Sequence, residues 1–103
     1  MRVAVASTDG KYVNDHFGRA KQFLIFDVNE TEYQFLETRS NIPSCNLEET
    51  EENRHLKTVK LLVDCQVVLV ARIGPGAEQY LRDHGLKVLV IPDFIDKALF
   101  AIT

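Results

Sequence analysis

The stretch Asn14-Asp15-His16-Phe17-Gly18-Arg19-Ala20-Lys21, running into Gln22-Phe23-Leu24-Ile25-Phe26-Asp27-Val28, decides the fold. Its second half is an apolar run of strand length, rich in aromatic and branched residues. Its first half is a polar loop with one histidine, one glycine and two cations. An earlier apolar run, Val3-Ala4-Val5-Ala6, ends in the turn residues Ser7-Thr8-Asp9-Gly10 and reads as a first strand. If the loop returns the chain antiparallel to that strand, one sheet topology follows; if it is a parallel crossover, another does. Antiparallel return is the simpler reading.

Outward from there, Asn29-Glu30-Thr31 reads as a hairpin turn and Glu32 to Arg39 as a polar, half-exposed edge strand. Tyr33 and Phe35 fall on one of its faces, and Gln34, Leu36 and Thr38 on the other. Leu56, Val59, Leu62 and Val63 share a helical face, which predicts a helix over roughly Glu52 to Asp64. The acidic run Glu48-Glu49-Thr50-Glu51-Glu52 suits the start of that helix. Gln66 to Val70 is a buried parallel strand, followed by Arg72-Ile73-Gly74-Pro75-Gly76. Pro75 takes a first helical position; Ala77, Tyr80, Leu81 and His84 share a face, and Gly85 stops the helix. Leu86 to Ile91 is a fifth strand. Asp93 to Ala101 is a last short helix, with Ile95, Leu99 and Ile102 making its contacts.

These elements predict an α/β, three-layer fold: a mixed five-stranded sheet in order 3-2-1-4-5, strand 2 antiparallel, with helices on its faces and right-handed crossovers. The 103 residues make a single domain, 1–103, able to bury a core without disulfides. A content of 46% hydrophobic and 26% charged residues is that of a soluble globular protein, and a net charge of -3 argues against a general nucleic-acid binder. No apolar run approaches a membrane span. The first residues read as a strand rather than a signal peptide, which places the protein in a reducing cytoplasm where Cys45 and Cys65 stay free.

In this topology the loops after strands one, three and four open at one edge of the sheet, where open α/β sheets bind ligands. That edge would gather His16, Arg19, Lys21, Cys45, Arg72 and the helix N-terminus at Gly74 to Gly76. His16 is a metal ligand or a proton carrier, or else an ordinary loop histidine. The Gly-Pro-Gly turn is a possible anion cradle or a plain strand-to-helix turn; it is not a P-loop. Cys45 lies in a polar loop, and thiolate suits iron–sulfur clusters. One histidine and one cysteine cannot hold a cluster permanently, but would suit carrying one transiently or sharing it across a dimer. Cys65 reads as core packing, and His55 and His84 as structural or surface residues. No catalytic triad, His-Glu-x-x-His or Gly-x-Gly-x-x-Gly is present. Nucleases of ribonuclease-H-like fold need carboxylates on their central strands, and Val3 to Ala6 offers none.

At this point the sequence resembles a known family. Arg2 to Ser7, Val13-Asn14-Asp15-His16-Phe17-Gly18-Arg19-Ala20-Lys21-Gln22-Phe23 and Asp64-Cys65-Gln66-Val67-Val68-Leu69-Val70-Ala71-Arg72-Ile73-Gly74 are similar to the dinitrogenase iron–molybdenum cofactor biosynthesis family. That family includes NifX-type carriers, the carboxy-terminal domain of NifB and the cluster-binding domain of the nitrogenase accessory factor. The similarity runs from Arg2 to about Phe100. It implies a ribonuclease-H-like fold without nuclease chemistry, a role in nitrogen fixation, and transient binding of an iron–sulfur or iron–molybdenum precursor cluster passed between metallocluster assembly proteins. His16 would be the cluster ligand, and Cys45 a second. The chain lacks the radical-SAM cysteine motif of the complete NifB enzyme. The expectation is therefore a non-enzymatic cluster carrier, a monomer or weak dimer, with no nucleic-acid or membrane partner. A cofactor-free interaction module using Glu48 to Glu52 is the alternative, and a ribonuclease-H-like hydrolase a disfavoured third.

Overall fold

A computed structural model describes residues 1–41 and 51–102, of which 51–54 are described by their backbone alone. Cys45 lies outside the described residues, as do the side chains of the acidic run Glu48 to Glu52. The elements are β1 (Arg2–Ala6), a 3-10 turn (Phe17–Arg19), β2 (Gln22–Val28), β3 (Tyr33–Ser40), α1 (Glu51–Leu61), β4 (Val67–Val70), α2 (Pro75–Asp83), β5 (Lys87–Val90) and α3 (Ile95–Ala101).

The sheet runs β3-β2-β1-β4-β5. β2 is antiparallel to both β1 and β3, and β4 is parallel to both β1 and β5. This is the predicted ribonuclease-H-like order, with helices on both faces. Its cause is visible in the core. Val3 to Ala6 of β1 and all of β4 are apolar and buried on both sides, so these strands must lie inside the sheet. Ala4, Ala6, Phe23, Ile25, Val68 and Val70 face α1 and α2; Val3, Val5, Leu24, Phe26 and Leu69 face α3. The β2–β3 turn is set by Asn29, whose Oδ1 accepts the N–H groups of Thr31 and Glu32, both at 2.9 Å.

Three expectations shift in register. First, α1 ends at Leu61, short of the expected Asp64. Its buried positions are Thr58 and Val59, with Leu62 just beyond its end, while Leu56 is exposed and Val63 is 78% exposed. The chain leaves the helix after Leu61 so that Asp64 can turn toward Arg2 and Arg39, which carries Val63 outward. Second, β5 and α3 are a residue or two shorter than their apolar patterns suggest. Third, strict alternation in β3 breaks at Leu36. Phe26 pairs with Phe35 but Ile25 pairs with Glu37, a β-bulge that inserts one residue. Beyond it the faces exchange. Thr38, opposite Leu24, joins the face of Phe35, and Glu37 and Arg39 join the α1 face.

That exchange delivers Arg39 to the end of α1. Its guanidinium donates to both carboxylate oxygens of Asp64, at 2.6 and 2.8 Å, and to Leu61 O at 2.8 Å. Arg2 donates to the same carboxylate at 2.6 Å. Hydrogen bonds from Arg39, then Arg2, hold the Asp64 carboxyl well below the usual carboxylate range, and Asp64 holds the Arg39 guanidinium above its ordinary value.

A carboxyl depressed on folding contributes stability that is complete above its unfolded value, near 3.9, and is lost as pH falls from there toward the folded value. Asp64 is 37% exposed, so solvent screens the pair. Asp64→Asn is expected to cost about 1 kcal/mol at pH 7. In urea unfolding the deficit should hold constant down to about pH 5 and shrink progressively below about pH 4.

Candidate functional site

The loop between β1 and β2 crosses the top of the sheet from one layer to the other. Its first part belongs to the α3 side. Val13 is buried there, its N–H donates to Asp93 O, and Tyr12 stacks on Phe94 with ring centres 4.2 Å apart. Its last part belongs to the α1/α2 side, where Phe17 and Ala20 are buried. His16 sits where the loop passes over.

The crossing is pinned by backbone pairing at the ends of β1 and β4. Asp15 N–H donates to Ala6 O (3.3 Å), Ala71 N–H to Asp15 O (3.0 Å) and Phe17 N–H to Arg72 O (2.9 Å). His16 and Arg72 thereby form a parallel bridge. The chain leaves β1 toward the α3 layer and leaves β4 toward the α2 layer, so residues 15–17 fill the gap between diverging connections. Earlier in the loop, the carboxylate of Asp9 accepts Lys11 N–H and Tyr12 N–H, which holds its pKa below the ordinary value, and Gly10 turns with φ +76°.

Beside this bridge lies a cleft of about 380 Å3 lined by Ser7, Thr8, Asp15, Arg19, Lys21 and Gln22. Arg19 and Lys21 share it. Gln22 closes one side, its amide donating to Ser7 O at 3.0 Å. His16 and Arg72 are joined to each other by backbone and flank the cleft without lining it. Gly74 caps α2 with no side-chain hydrogen bond. Neither Gly74 nor Gly76 has a positive φ, and a Cβ at either would meet nothing within 4 Å, so the turn imposes no glycine and the space beside it is open. Arg72 and the α2 N-terminus thus form a second electropositive place on the same edge, across the His16 strand from Arg19 and Lys21.

His16 is partly buried, and it does structural work that a loop reading does not foresee. Its Nδ1 accepts the Gly18 N–H at 3.0 Å, capping the 3-10 turn. Three features of this edge had no sequence signal strong enough to single them out. Asp15 reaches the cleft as a carboxylate among cations. Ser7 is completely buried at its rim. His55 of α1 packs its ring 6.3 Å from Phe17 and 5.6 Å from Tyr80, on a helix whose expected face holds at Val59 and Leu62 and fails at Leu56 and Val63. Tyr80 continues that stack to His84, at 4.4 Å. Among the described residues, no three His, Cys, Asp or Glu side chains come together as a metal site, and no helix is long and apolar enough to cross a membrane.

Cys65 is 4% exposed in the core against α1, apart from the His16 edge. Burial, then the neighbouring Asp64 carboxylate, pushes its thiol up to about 11.

The fold and this edge define an α/β domain with a histidine-bearing loop beside a cleft that holds two cations and a carboxylate, at the ends of its parallel strands. The chain belongs to the family described as dinitrogenase iron-molybdenum cofactor, whose model matches residues 1–103. It is 33% identical over 103 residues to the FeMo cofactor biosynthesis protein NifB of Frankia alni, a match covering 97% of this chain and 20% of that protein. It is 31% identical over 103 residues to the protein NifX of Herbaspirillum seropedicae, covering 94% of this chain and 70% of that one. The chain spans about a fifth to a quarter of the length of the curated NifB relatives it matches. Among solved structures, that of PH0822 superposes with a TM-score of 0.73 at 26% identity, covering 99% of this chain and 88% of that chain.

Alkylation separates the Cys65 thiol from a reactive one. A rise from 9.0 to about 11 leaves about 100-fold less thiolate at neutral pH. Peptide mapping after iodoacetamide treatment at pH 8 should find Cys65 unmodified in the native protein and labelled within minutes in urea.

Proposed function

We propose that the chain binds an anionic iron–sulfur or iron–molybdenum precursor cluster at the β1/β4 edge and passes it to metallocluster assembly proteins in FeMo cofactor biosynthesis, performing no chemistry on it. The observation that carries this reading is the bridge from His16 to Arg72, which holds an imidazole between two electropositive places. The names of the relatives support the pathway: NifB is a FeMo cofactor biosynthesis protein, and NifX is its shorter counterpart in the comparison.

The donor set fits a cargo better than a resident cofactor. Soft metal sites that are held permanently use several thiolates or imidazoles. Here the described residues bring one imidazole to the edge, with Cys45 as a proposed second ligand. Such a site gives few metal bonds and relies on charge. Arg19 and Lys21 on one side, and Arg72 with the N–H groups near Gly74 and Gly76 on the other, would neutralise a cluster whose sulfide surface is negative. Asp15 also lines the cleft, its carboxylate accepting the His16 N–H at 2.9 Å, and lowers the net positive charge there. The missing carboxylates of β1 argue against hydrolysis by a two-metal route.

The reading is tested by anaerobic reconstitution with ferrous iron and sulfide, followed by visible charge-transfer absorption. His16→Ala is expected to bind at least tenfold more weakly than the parent; equal binding would remove His16 as a ligand. Arg19→Ala combined with Lys21→Ala should weaken binding about three- to tenfold at low salt. It should also flatten the salt dependence, because the lost contribution is the screened one.

A further inference from the structure

We propose that the Gly18 amide is a built-in competitor for the cargo at His16, so that loading breaks the cap of the 3-10 turn and release restores it. This rests on the reading of His16 as the cluster ligand. Its own basis is the geometry of the ring. Gly18 N–H donates to His16 Nδ1 at 3.0 Å, and the imidazole lies over Gly18 closely enough that a Cβ there would sit 3.4 Å from Nδ1 and from Cε1.

A neutral imidazole has one ring nitrogen with a free lone pair and one carrying hydrogen. With Nδ1 accepting, the hydrogen is on Nε2. A histidine that ligates through Nε2 ordinarily donates its Nδ1–H to a carbonyl or carboxylate. The partner here is itself a donor, the reverse of that arrangement. Neither nitrogen of the closed turn therefore offers a lone pair to iron. Ligation through Nδ1 displaces Gly18 directly, with the hydrogen staying on Nε2. Ligation through Nε2 moves that hydrogen to Nδ1, where it meets the Gly18 N–H head-on. Both routes break the cap.

What moves is confined by what is anchored. Phe17 is buried and its N–H is held by Arg72 O at 2.9 Å, so it stays. Gly18 and Arg19 are exposed. Arg19 is tied to the turn by its N–H to His16 O, at 3.0 Å. Ala20 N–H likewise stays on Phe17 O at 3.4 Å, so breaking the cap leaves the backbone of the turn in place and frees only the ring and the Gly18 N–H. A competing hydrogen bond of ordinary net strength lowers affinity about fivefold, a useful setting for a protein that must hand its cargo on.

The test combines nuclear magnetic resonance on the protein without cargo with hydrogen exchange on the loaded form, using the cluster assembled from ferrous iron and sulfide as probe. Without cargo, 15N shifts should show His16 with an unprotonated Nδ1, and the Gly18 amide should exchange at least tenfold more slowly than in His16→Ala. On loading, Gly18 should lose that protection while Phe17 keeps its own. An ester in place of the amide between Phe17 and Gly18 removes the competing N–H alone and should bind the cluster about fivefold more tightly. Gly18→Ala, which retains the N–H, should bind as the parent does. A protonated Nδ1 in the free protein overturns the inference, as does unchanged affinity in the ester. Retained Gly18 protection in a loaded protein that needs His16 overturns it too, and leaves the cluster-carrier reading standing. Binding that ignores His16→Ala, or none at all, overturns that reading and the inference together.

Discussion

The short run of backbone pairing at the sheet's upper edge is the constraint on which the site depends. Three hydrogen bonds, linking Ala6 to Asp15, Asp15 to Ala71 and Phe17 to Arg72, fix the part of the long β1–β2 connection that carries His16. They are possible because β1 and β4 are neighbours whose chains depart in opposite directions. The gap this leaves would otherwise expose backbone groups of both strands. A segment of the loop fills it, and whatever side chain occupies its middle position is held between the two exits. In this chain that residue is His16. In the proposed role, side chains on either side of the bridge need little precision: Arg19, Lys21 and Arg72 would act by charge, which falls off gently with distance.

The core supplies the rigidity behind this. Val13 is locked into one layer and Phe17 into the other, so the histidine is suspended between two anchors that belong to different hydrophobic clusters. The far end of the sheet is fastened differently, by the Arg2–Asp64–Arg39 network. That network exists because a single inserted residue at Leu36 turns Arg39 onto the α1 face. Edge strand, helix end and first strand are thereby joined through one carboxylate.

Much of the fold is legible in the sequence because strands buried on both faces, Val3 to Ala6 and Val67 to Val70, have no other place to go. The antiparallel return through Gln22 is the simpler reading of the β1–β2 loop, and the hairpin after it then makes β3 run with β1. What is not legible is local and has physical causes. The bulge at Leu36 depends on a partner strand, so alternation within Tyr33 to Ser40 alone suggests the wrong face for Thr38. The phase of α1 depends on where the chain must turn to present Asp64, and an apolar pattern containing Val63 gives no hint of that. At the site, the convergence of His16 with Arg72 follows from topology. The cap on Gly18 does not: it is a three-residue turn without periodicity, and its acceptor is a ring nitrogen that usually invites a functional reading instead.

The loop that crosses the sheet also says where this chain can change length. The β2–β3 turn touches neither core, and extra residues there would extend a surface hairpin. Between Val13 and Phe17 there is no slack, because both ends are buried in separate layers and the segment between them is spanned by pairing to two strands. A single inserted residue would force one anchor out of its pocket or slip the bridge by one position and turn the imidazole away. Spacing is therefore something that variation at this edge must preserve.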